Sequence, residues 1–241
     1  MPRGTLYLLP TSLGGEPALS LPTLETARRL LYFVAENPKS ARAFLKLVAH
    51  PARLQDVRIE TLDEHTPRSK MTDLLKPLED GTDCGLVSDA GCPAVADSGA
   101  PLVRAAHAAG VKVVPLVGPS AILLALMASG MNGQRFAFEG YVPVERAPRA
   151  KRLVELESLS EKHDVTQVFI EAPYRNVALL EAIVRTCRPD TLVCLATDLT
   201  LPEETICTQT VAEWRKARPA IDRRPTVFLM YREPLPKKAG S

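Results

Sequence analysis

The chain has 241 residues, of which 46% are hydrophobic, and its 30 Lys and Arg residues nearly balance 28 Asp and Glu residues. This length buries a sizeable core in one large or two smaller α/β domains, and we favour two. The net charge of +2 neither requires nor excludes a nucleic-acid partner. No apolar run reaches the roughly 18 residues of a membrane span, and no signal-peptide core follows the first residues. We therefore expect a cytoplasmic protein that does not associate with membranes.

The cysteines and histidines predict neither disulfides nor a metal site. Five cysteines are an odd number, none forms a C-x-x-C pair, and the four histidines are scattered along the chain. We expect reduced thiols that lie mostly in the core, and no bound metal. The cysteines are Cys84, Cys92, Cys187, Cys194 and Cys207.

Short apolar strands alternate with helical periods through the first half of the chain. From Pro22 the apolar spacing is helical with Thr23 as its N-cap, but Tyr32–Ala35 fits a short strand equally well, and we leave that boundary open. The predicted strands are Thr5–Leu9, Val57–Thr61, Cys84–Val87 and Val111–Val117, and the other predicted helices are Ala41–Val48, Ser69–Leu78 and Ala100–Gly110.

A turn dense in small residues follows the strand that ends at Val87 and leads into the helix that starts at Ala100. In an open parallel sheet, ligands bind beyond the carboxyl ends of the strands, and glycines let the backbone approach a ligand closely. This central loop, residues 88–99, is therefore the candidate ligand site.

A second loop begins at Gly118, where Pro119 and Ser120 suit the start of a helix and Gly130 suits its end. The free amides of such a helix start suit a carboxylate or a phosphate. We place the domain boundary here, which gives an N-terminal α/β domain of residues 1–117, a C-terminal α/β domain of residues 118–233, and a frayed tail of residues 234–241.

The second half repeats the alternation and ends in a series of strands. The predicted strands are Arg135–Glu139, Val165–Glu171, Thr191–Ala196, Glu204–Thr210 and Thr226–Tyr231, and the predicted helices are Arg149–Leu159, Asn176–Cys187 and a short one around Trp214.

The usual catalytic signatures are missing from the sequence. It contains no phosphate loop, no dinucleotide fingerprint and no nucleophile elbow. Asp89 in the central loop and Glu171 at a strand end are the acidic groups near the candidate loops. So few candidate acid–base residues suit a reaction in which the cofactor has already activated the electrophile, such as methyl transfer from a sulfonium.

Several motifs resemble those of the tetrapyrrole methylase superfamily, the class III S-adenosylmethionine-dependent methyltransferases. Their order and spacing are closest to the ribosomal RNA small-subunit methyltransferase I branch, a cytidine 2′-O-methyltransferase type. The similarity continues beyond Ala196 and covers nearly the whole chain. The motifs are Thr5-Leu-Tyr-Leu-Leu-Pro-Thr-Ser-Leu-Gly14, Ser88-Asp-Ala-Gly-Cys-Pro93, Val113-Val-Pro-Leu-Val-Gly-Pro-Ser-Ala121, Glu139-Gly-Tyr-Val-Pro143 and Phe169-Ile-Glu-Ala-Pro-Tyr-Arg175.

The resemblance implies two α/β domains, the first with a mostly parallel sheet and the second with a mixed sheet. It implies S-adenosylmethionine in a cleft between them, and a homodimer. It also implies a cofactor site in which small side chains and strand ends surround the ligand. The implied cofactor-binding residues are Leu9, Pro10, Gly91, Cys92, Pro93, Val95, Ser120, Ala121, Ile170, Ala196 and Thr226.

Asp89, Glu171 and Arg175 are the candidate catalytic residues. Asp89 either orients substrate or cofactor or forms a turn with its own backbone. Glu171 and Arg175 form either a catalytic or substrate-orienting pair or an ordinary interdomain ion pair. Cys92 has no basic neighbour in sequence that lowers the pKa of its thiol, so we interpret it as a small residue lining the cofactor site.

The chain departs from the branch pattern mainly in motifs that face the substrate. Cys92 stands where the pattern has Thr or Asp, Tyr174 stands where it has His, and the chain stops before the small C-terminal domain of longer relatives. There are two alternatives to methylation of ribosomal RNA: methylation of a small tetrapyrrole-like substrate, and cofactor binding without catalysis.

A basic cluster either contacts RNA phosphates or forms a solvated helix start. Its members are Arg146, Arg149, Lys151 and Arg152.

Overall fold

The computed structural model describes residues 2–14 and 18–234, which form two compact units, residues 1–120 and residues 121–241. We call these the first unit and the second unit. Residue 1, residues 15–17 and residues 235–241 of the predicted tail lie outside the described residues. Within the described ranges, no helix is long and apolar enough to cross a membrane.

The first unit contains a five-stranded sheet in which every pairing is parallel. The strand order is β3-β2-β4-β1-β5, and the helices that connect the strands cover the sheet. The elements are β1 Thr5–Leu9, α1 Leu21–Arg29, β2 Tyr32–Ala35, α2 Pro38–Leu47, β3 Arg58–Thr61, α3 Lys70–Glu79, β4 Cys84–Val87, α4 Ala100–Ala108 and β5 Lys112–Pro115.

Burial on both faces explains the uninterrupted apolar strands of this sheet. All four residues of β2 and all four of β4 are buried, as is typical of a parallel sheet covered by helices on both sides. The residues Tyr32–Ala35 therefore form a strand, which settles the boundary that the sequence left open. The strands and helices predicted for the first half are confirmed, with ends that shift by a few residues.

The predicted N-cap of α1 was wrong. Ser20 caps the helix, and its hydroxyl accepts a hydrogen bond from the Thr23 amide at 3.4 Å. Thr23 lies inside the first turn, and its Oγ1 donates to the Val117 carbonyl at 2.9 Å. The Ser20 hydroxyl also donates to the Val117 carbonyl, at 3.4 Å, so both hydroxyl groups bond there, and Ser20 is the cap because the helix begins at Leu21.

The second unit contains a five-stranded mixed sheet in the order β6-β7-β10-β8-β9. Strands β6 and β7 are parallel, while β10 runs antiparallel to both β7 and β8. The predicted fold class, a parallel first sheet and a mixed second sheet, is confirmed. The elements are α5 Ala121–Ser129, β6 Phe136–Tyr141, α6 Arg146–His163, β7 Thr166–Ile170, α7 Asn176–Thr186, β8 Leu192–Thr197, β9 Thr205–Thr210, α8 Val211–Trp214 and β10 Thr226–Tyr231.

Helix α6 is longer at both ends than the predicted 149–159 segment. It begins after Glu145 and ends at Asp164, whose φ of 55° lies in the left-handed region. Only one stripe of the helix is buried, centred on Leu153 and Leu156, and most of the charged residues of the helix lie outside it. The apolar pattern therefore identifies the middle of this helix and not its charged first and last turns.

Tyr32→Phe tests how much one buried hydrogen bond stabilises the first unit. The Tyr32 hydroxyl, inside the core, donates to the Leu74 carbonyl at 2.9 Å. Removing this donor lowers the free energy of unfolding by about 1 kcal/mol, measured by urea denaturation. Tyr141→Phe is the control, because the Tyr141 side chain is 60% exposed. Equal midpoints for the two variants would contradict the assignment.

Candidate functional site

The loops after β1 and β4 are tied together by a short backbone bridge. The Thr11 amide donates to the Gly91 carbonyl at 2.9 Å, and the Gly91 amide donates back to the Thr11 carbonyl at 3.3 Å. The Ser88 hydroxyl also donates to the Gly91 carbonyl, at 3.0 Å. Gly91 has a φ of 74°, which explains the glycine at this position. Its amide is already bonded within the protein and is not left for a ligand.

Asp97 organises the rest of the central loop. Its carboxylate accepts hydrogen bonds from the Ala94 amide at 2.9 Å and from the Gly99 amide at 2.8 Å. Ala94 and Ala96 both have positive φ values, 65° and 62°, so the loop is held in a conformation that alanine rarely adopts. Burial raises the pKa of the Asp97 carboxyl, and the two amides partly offset that effect. Sequence reasoning missed this residue, although Asp before Ser-Gly is a turn signal.

The loop after β5 packs against the loops after β1 and β4. A Cβ atom on Gly118 would lie 2.2 Å from the Cβ of Pro10, so no other residue fits there without movement. The Cys92 thiol donates to the Pro119 carbonyl at 3.4 Å. Burial raises the pKa of the Cys92 thiol, which disfavours the thiolate that a nucleophile requires. The loops after β1, β4 and β5 therefore meet at one edge of the first sheet.

The implied cofactor residues of the first unit differ in which atoms they present. Leu9 has no solvent exposure, so it supports the site from within the core and presents no atom to a ligand. Pro10 and Pro93 are also buried, whereas Val95 is 47% exposed. Ser120 is the last residue of the first unit, and Ala121 opens α5 of the second.

Acidic groups collect at the same edge of the first sheet. Glu36 follows β2, Asp63 follows β3 and the exposed Asp89 follows β4. Burial raises the pKa of the Glu36 carboxyl, and the negative charges of Asp89, Asp97 and Asp63 raise it further. An edge with this charge suits a cationic ligand. S-adenosylmethionine carries a sulfonium and an ammonium group, so the residues present fit this cofactor.

In the second unit, three implied cofactor residues lie on three neighbouring strands. Val227 of β10 pairs with both Ile170 of β7 and Ala196 of β8, and Thr226 is next to it. The side chains of Ile170 and Ala196 lie on the face that packs against α5. The alternation of the strand puts Thr226 on the other face, where its Oγ1 lies 3.1 Å from the Thr197 hydroxyl.

Glu171 and Arg175 form an ion pair directly after β7. Oε1 of Glu171 accepts from Nε of Arg175 at 2.8 Å, from Nη2 at 2.6 Å and from the Ala172 amide at 2.7 Å. The Glu171 side chain has no solvent exposure, and its Oε2 atom has no donor in the part of the chain that the structure describes. Both residues belong to the second unit, so the interdomain ion pair considered above is wrong. A buried carboxylate oxygen without a donor is costly, and it suits a substrate hydroxyl.

Three further polar residues, which sequence reasoning missed, hold the loops around this pair. Nδ2 of Asn176 donates to the carbonyls of Arg224, at 2.7 Å, and Ile221, at 3.3 Å. Nε of Arg224 donates to Asp198 at 2.7 Å, and Asp198 has a φ of 51°. The pairing of Arg224 with Asp198 across 26 residues has no local signal in the sequence.

The comparisons with known proteins agree with this architecture. The family model described as Tetrapyrrole (Corrin/Porphyrin) Methylases matches residues 5–214. The chain belongs to the tetrapyrrole methylase family. The predicted enzyme class, a methyltransferase that uses S-adenosylmethionine, is thereby confirmed at the level of the family.

Curated relatives carry the name Ribosomal RNA small subunit methyltransferase I. The protein from Micromonospora olivasterospora is 38% identical over 202 residues, which are 83% of this chain and 61% of that protein. The protein from Escherichia coli O157:H7 is 34% identical over 204 residues, which are 85% of this chain and 68% of that protein. The chain thus spans about two thirds of the length of these relatives.

A solved structure gives the same fold. The crystal structure of the methyltransferase CobJ matches with a TM-score of 0.63 and 24% identity, and the match covers 95% of this chain and 94% of that one. At this identity the match supports the tetrapyrrole methylase fold and says nothing about the substrate.

Asp97→Ala tests whether this carboxylate holds the central loop of the tetrapyrrole methylase fold. The substitution leaves the Ala94 and Gly99 amides without their acceptor, and we expect the free energy of unfolding to fall by about 2 kcal/mol. Asp97→Asn keeps one acceptor oxygen and loses less. The control is Asp73→Ala, an exposed acid in the first turn of α3. Denaturation curves that coincide for Asp97→Ala and the control would refute this role.

Proposed function

We propose that this tetrapyrrole methylase transfers a methyl group from S-adenosylmethionine to the RNA of the small ribosomal subunit, at the 2′-oxygen of a cytidine. The observation that carries the proposal is the name shared by the curated relatives, which are 30–38% identical over 83–89% of this chain. The 2′-oxygen comes from the closest branch of the resemblance. The buried acceptor at Glu171 supports a hydroxyl as the group that is methylated.

In this proposal the three adjoining loops of the first unit bind the cofactor. When bound, S-adenosylmethionine supplies a methyl group already activated on a sulfonium, so the chain provides position and a proton acceptor. Leu9 and Gly91 support this surface from inside, and the small, half-buried Cys92 side chain lies on it. The neighbouring carboxylates, including Asp89, stabilise its positive charge.

Glu171 is the proposed general base. Its Oε2 atom accepts the hydrogen of the substrate hydroxyl and takes the proton as the new oxygen–carbon bond forms. Arg175 binds Oε1 with two nitrogens, so that the carboxylate is fixed and Oε2 alone is left for the substrate. Nη1 of Arg175 also donates to the Tyr174 hydroxyl at 2.8 Å, which holds the guanidinium in place.

Cofactor binding is the first property to measure. We expect calorimetry to give a dissociation constant in the micromolar range, about −8 kcal/mol, for S-adenosylmethionine and for its demethylated product. Cys92→Trp fills the surface beside Gly91 and abolishes binding, while Cys92→Thr, the branch residue, retains it. The control is Cys207→Trp, an equally bulky change at an exposed position of β9. If Cys92→Trp binds like the control, the assigned cofactor surface is wrong.

The substrate is tested with labelled cofactor and small ribosomal subunits from a strain that lacks the gene. We expect the label to enter the RNA and to remain in dinucleotides after alkaline hydrolysis, because a 2′-O-methyl group blocks cleavage of the adjacent phosphodiester. Label in mononucleotides would place the methyl group on a base. Label in an added porphyrin or corrinoid precursor, with none in RNA, would replace the proposal by the small-molecule alternative. Cofactor binding without transfer to any acceptor would favour the non-catalytic alternative.

Glu171→Gln separates chemistry from binding. Loss of the base lowers kcat for RNA methylation by about 100-fold or more, while the affinity for S-adenosylmethionine stays within about twofold. Glu233→Gln removes an exposed carboxylate that follows β10 in the same unit and serves as the control. Steady-state kinetics with saturating cofactor measure the effect. An unchanged kcat in Glu171→Gln would exclude this carboxylate as the base.

We also propose that the protein acts in the cytoplasm, where ribosomal subunits are assembled, and that it is a homodimer. The proposal of a homodimer rests on the family resemblance, and sedimentation of the purified chain measures the oligomeric state.

A further inference from the structure

A recess of about 250 Å³ lies between the first turns of α6 and the last turns of α7. Three arginines line it, two from α6 and one from α7. Small residues, Ala150, Ala182 and Thr186, also line it, and the Ala182 side chain is buried. The arginines are Arg146, Arg149 and Arg185.

Positive charge exceeds negative charge around this recess, and its arginines form few close ion pairs. Within the described ranges, Arg146 and Arg149 form no ion pair, and Arg185 reaches Glu181 only at 4.0 Å. Arg152, one turn further along α6, differs because it pairs with both Glu139 and Glu155. The charges around the recess are therefore three guanidinium groups against Glu181 and the N-cap residue Glu145.

Arg149 is held with donors that lack acceptors. Its Nη2 atom donates to the Val144 carbonyl at 2.7 Å, which fixes the guanidinium. The Nε and Nη1 atoms of the Arg149 guanidinium are shielded from solvent, and their N–H groups have no acceptor in the described part of the chain. Unpaired buried donors are costly, and so are cations at the start of a helix, where the dipole is positive. An anion in the recess relieves both costs.

We propose that this recess binds one phosphate of the substrate RNA backbone. Planar guanidinium groups match the oxygens of a phosphate with two parallel hydrogen bonds, and arginine is favoured over lysine for that reason. A water molecule occupies about 30 Å³ in the liquid, so the recess has room for a phosphate group and part of a ribose. The small lining residues leave that space open.

This inference rests on the proposed function, because it names a contact of the same RNA substrate. It adds a contact outside the loops that we assign to the cofactor and the chemistry. The contact positions the RNA and carries no sequence information, since a backbone phosphate is the same at every nucleotide.

The test measures binding of small-subunit RNA to the full chain at several salt concentrations. We expect Arg149→Gln to weaken binding at least about tenfold and to lower the slope of log affinity against log salt by about 0.7–0.9, the value of one phosphate contact. Arg149→Lys keeps the charge and recovers part of the affinity. The matched control is Lys162→Gln, which removes one exposed charge from the last turn of the same helix, outside the recess, and we expect it to change binding by less than about twofold.

The kinetic prediction follows from the same role. Arg149→Gln raises KM for RNA and leaves kcat and the affinity for S-adenosylmethionine unchanged, which also shows that the variant is folded. A salt slope and KM equal to those of the unaltered chain, in a protein that still methylates RNA, would overturn the recess assignment alone. If the unaltered chain neither binds nor methylates RNA, the proposed function fails together with it. If substitutions in the recess abolish the binding of an acidic peptide and leave RNA binding intact, the recess is assigned to a protein partner instead.

Discussion

The position of β1 between β4 and β5 constrains the whole first unit. A buried strand has to pair its amides and carbonyls on both sides, and β1 does so with two parallel neighbours. Because all three strands run in the same direction, the loops that follow them begin at one edge and compete for the same space. Gly118 packs against Pro10, and Gly91 bridges to Thr11, for this reason. The strand order alone requires small residues in these motifs, whether or not a ligand binds there.

Periodicity and turn residues were sufficient to predict nearly every strand and helix, because each depends on neighbours along the chain. The failures lie where a distant contact decides. Tyr32–Ala35 is a strand because it pairs with both β3 and β4, which four apolar residues cannot reveal. The cap of α1 is Ser20 because the helix begins at Leu21, and the hydroxyl groups of Ser20 and Thr23 both bond to Val117, more than 90 residues away. Likewise the first turns of α6 are exposed and charged, so no apolar stripe marks them.

The candidate site was predictable in position but not in its internal hydrogen bonds. The sequence located the loops after β4 and β5, since glycine and proline mark them. It suggested that loop amides face a ligand, whereas the Gly91 amide bonds to Thr11. Asp97 and Asn176 were missed because their partners depend on the folded path of each loop. The roles given to the implied cofactor residues rest on the family resemblance, and they stay predictions until binding is measured.

A net charge of +2 conceals two opposite local fields. The edge of the first sheet collects carboxylates, and burial together with their repulsion raises the pKa of Glu36. The start of α6 collects arginines whose charges no carboxylate balances closely. A cationic cofactor and a polyanionic substrate need surfaces of opposite potential, and the proposed function requires both kinds of surface. The arrangement of charge within each unit therefore carries information that the total charge lacks.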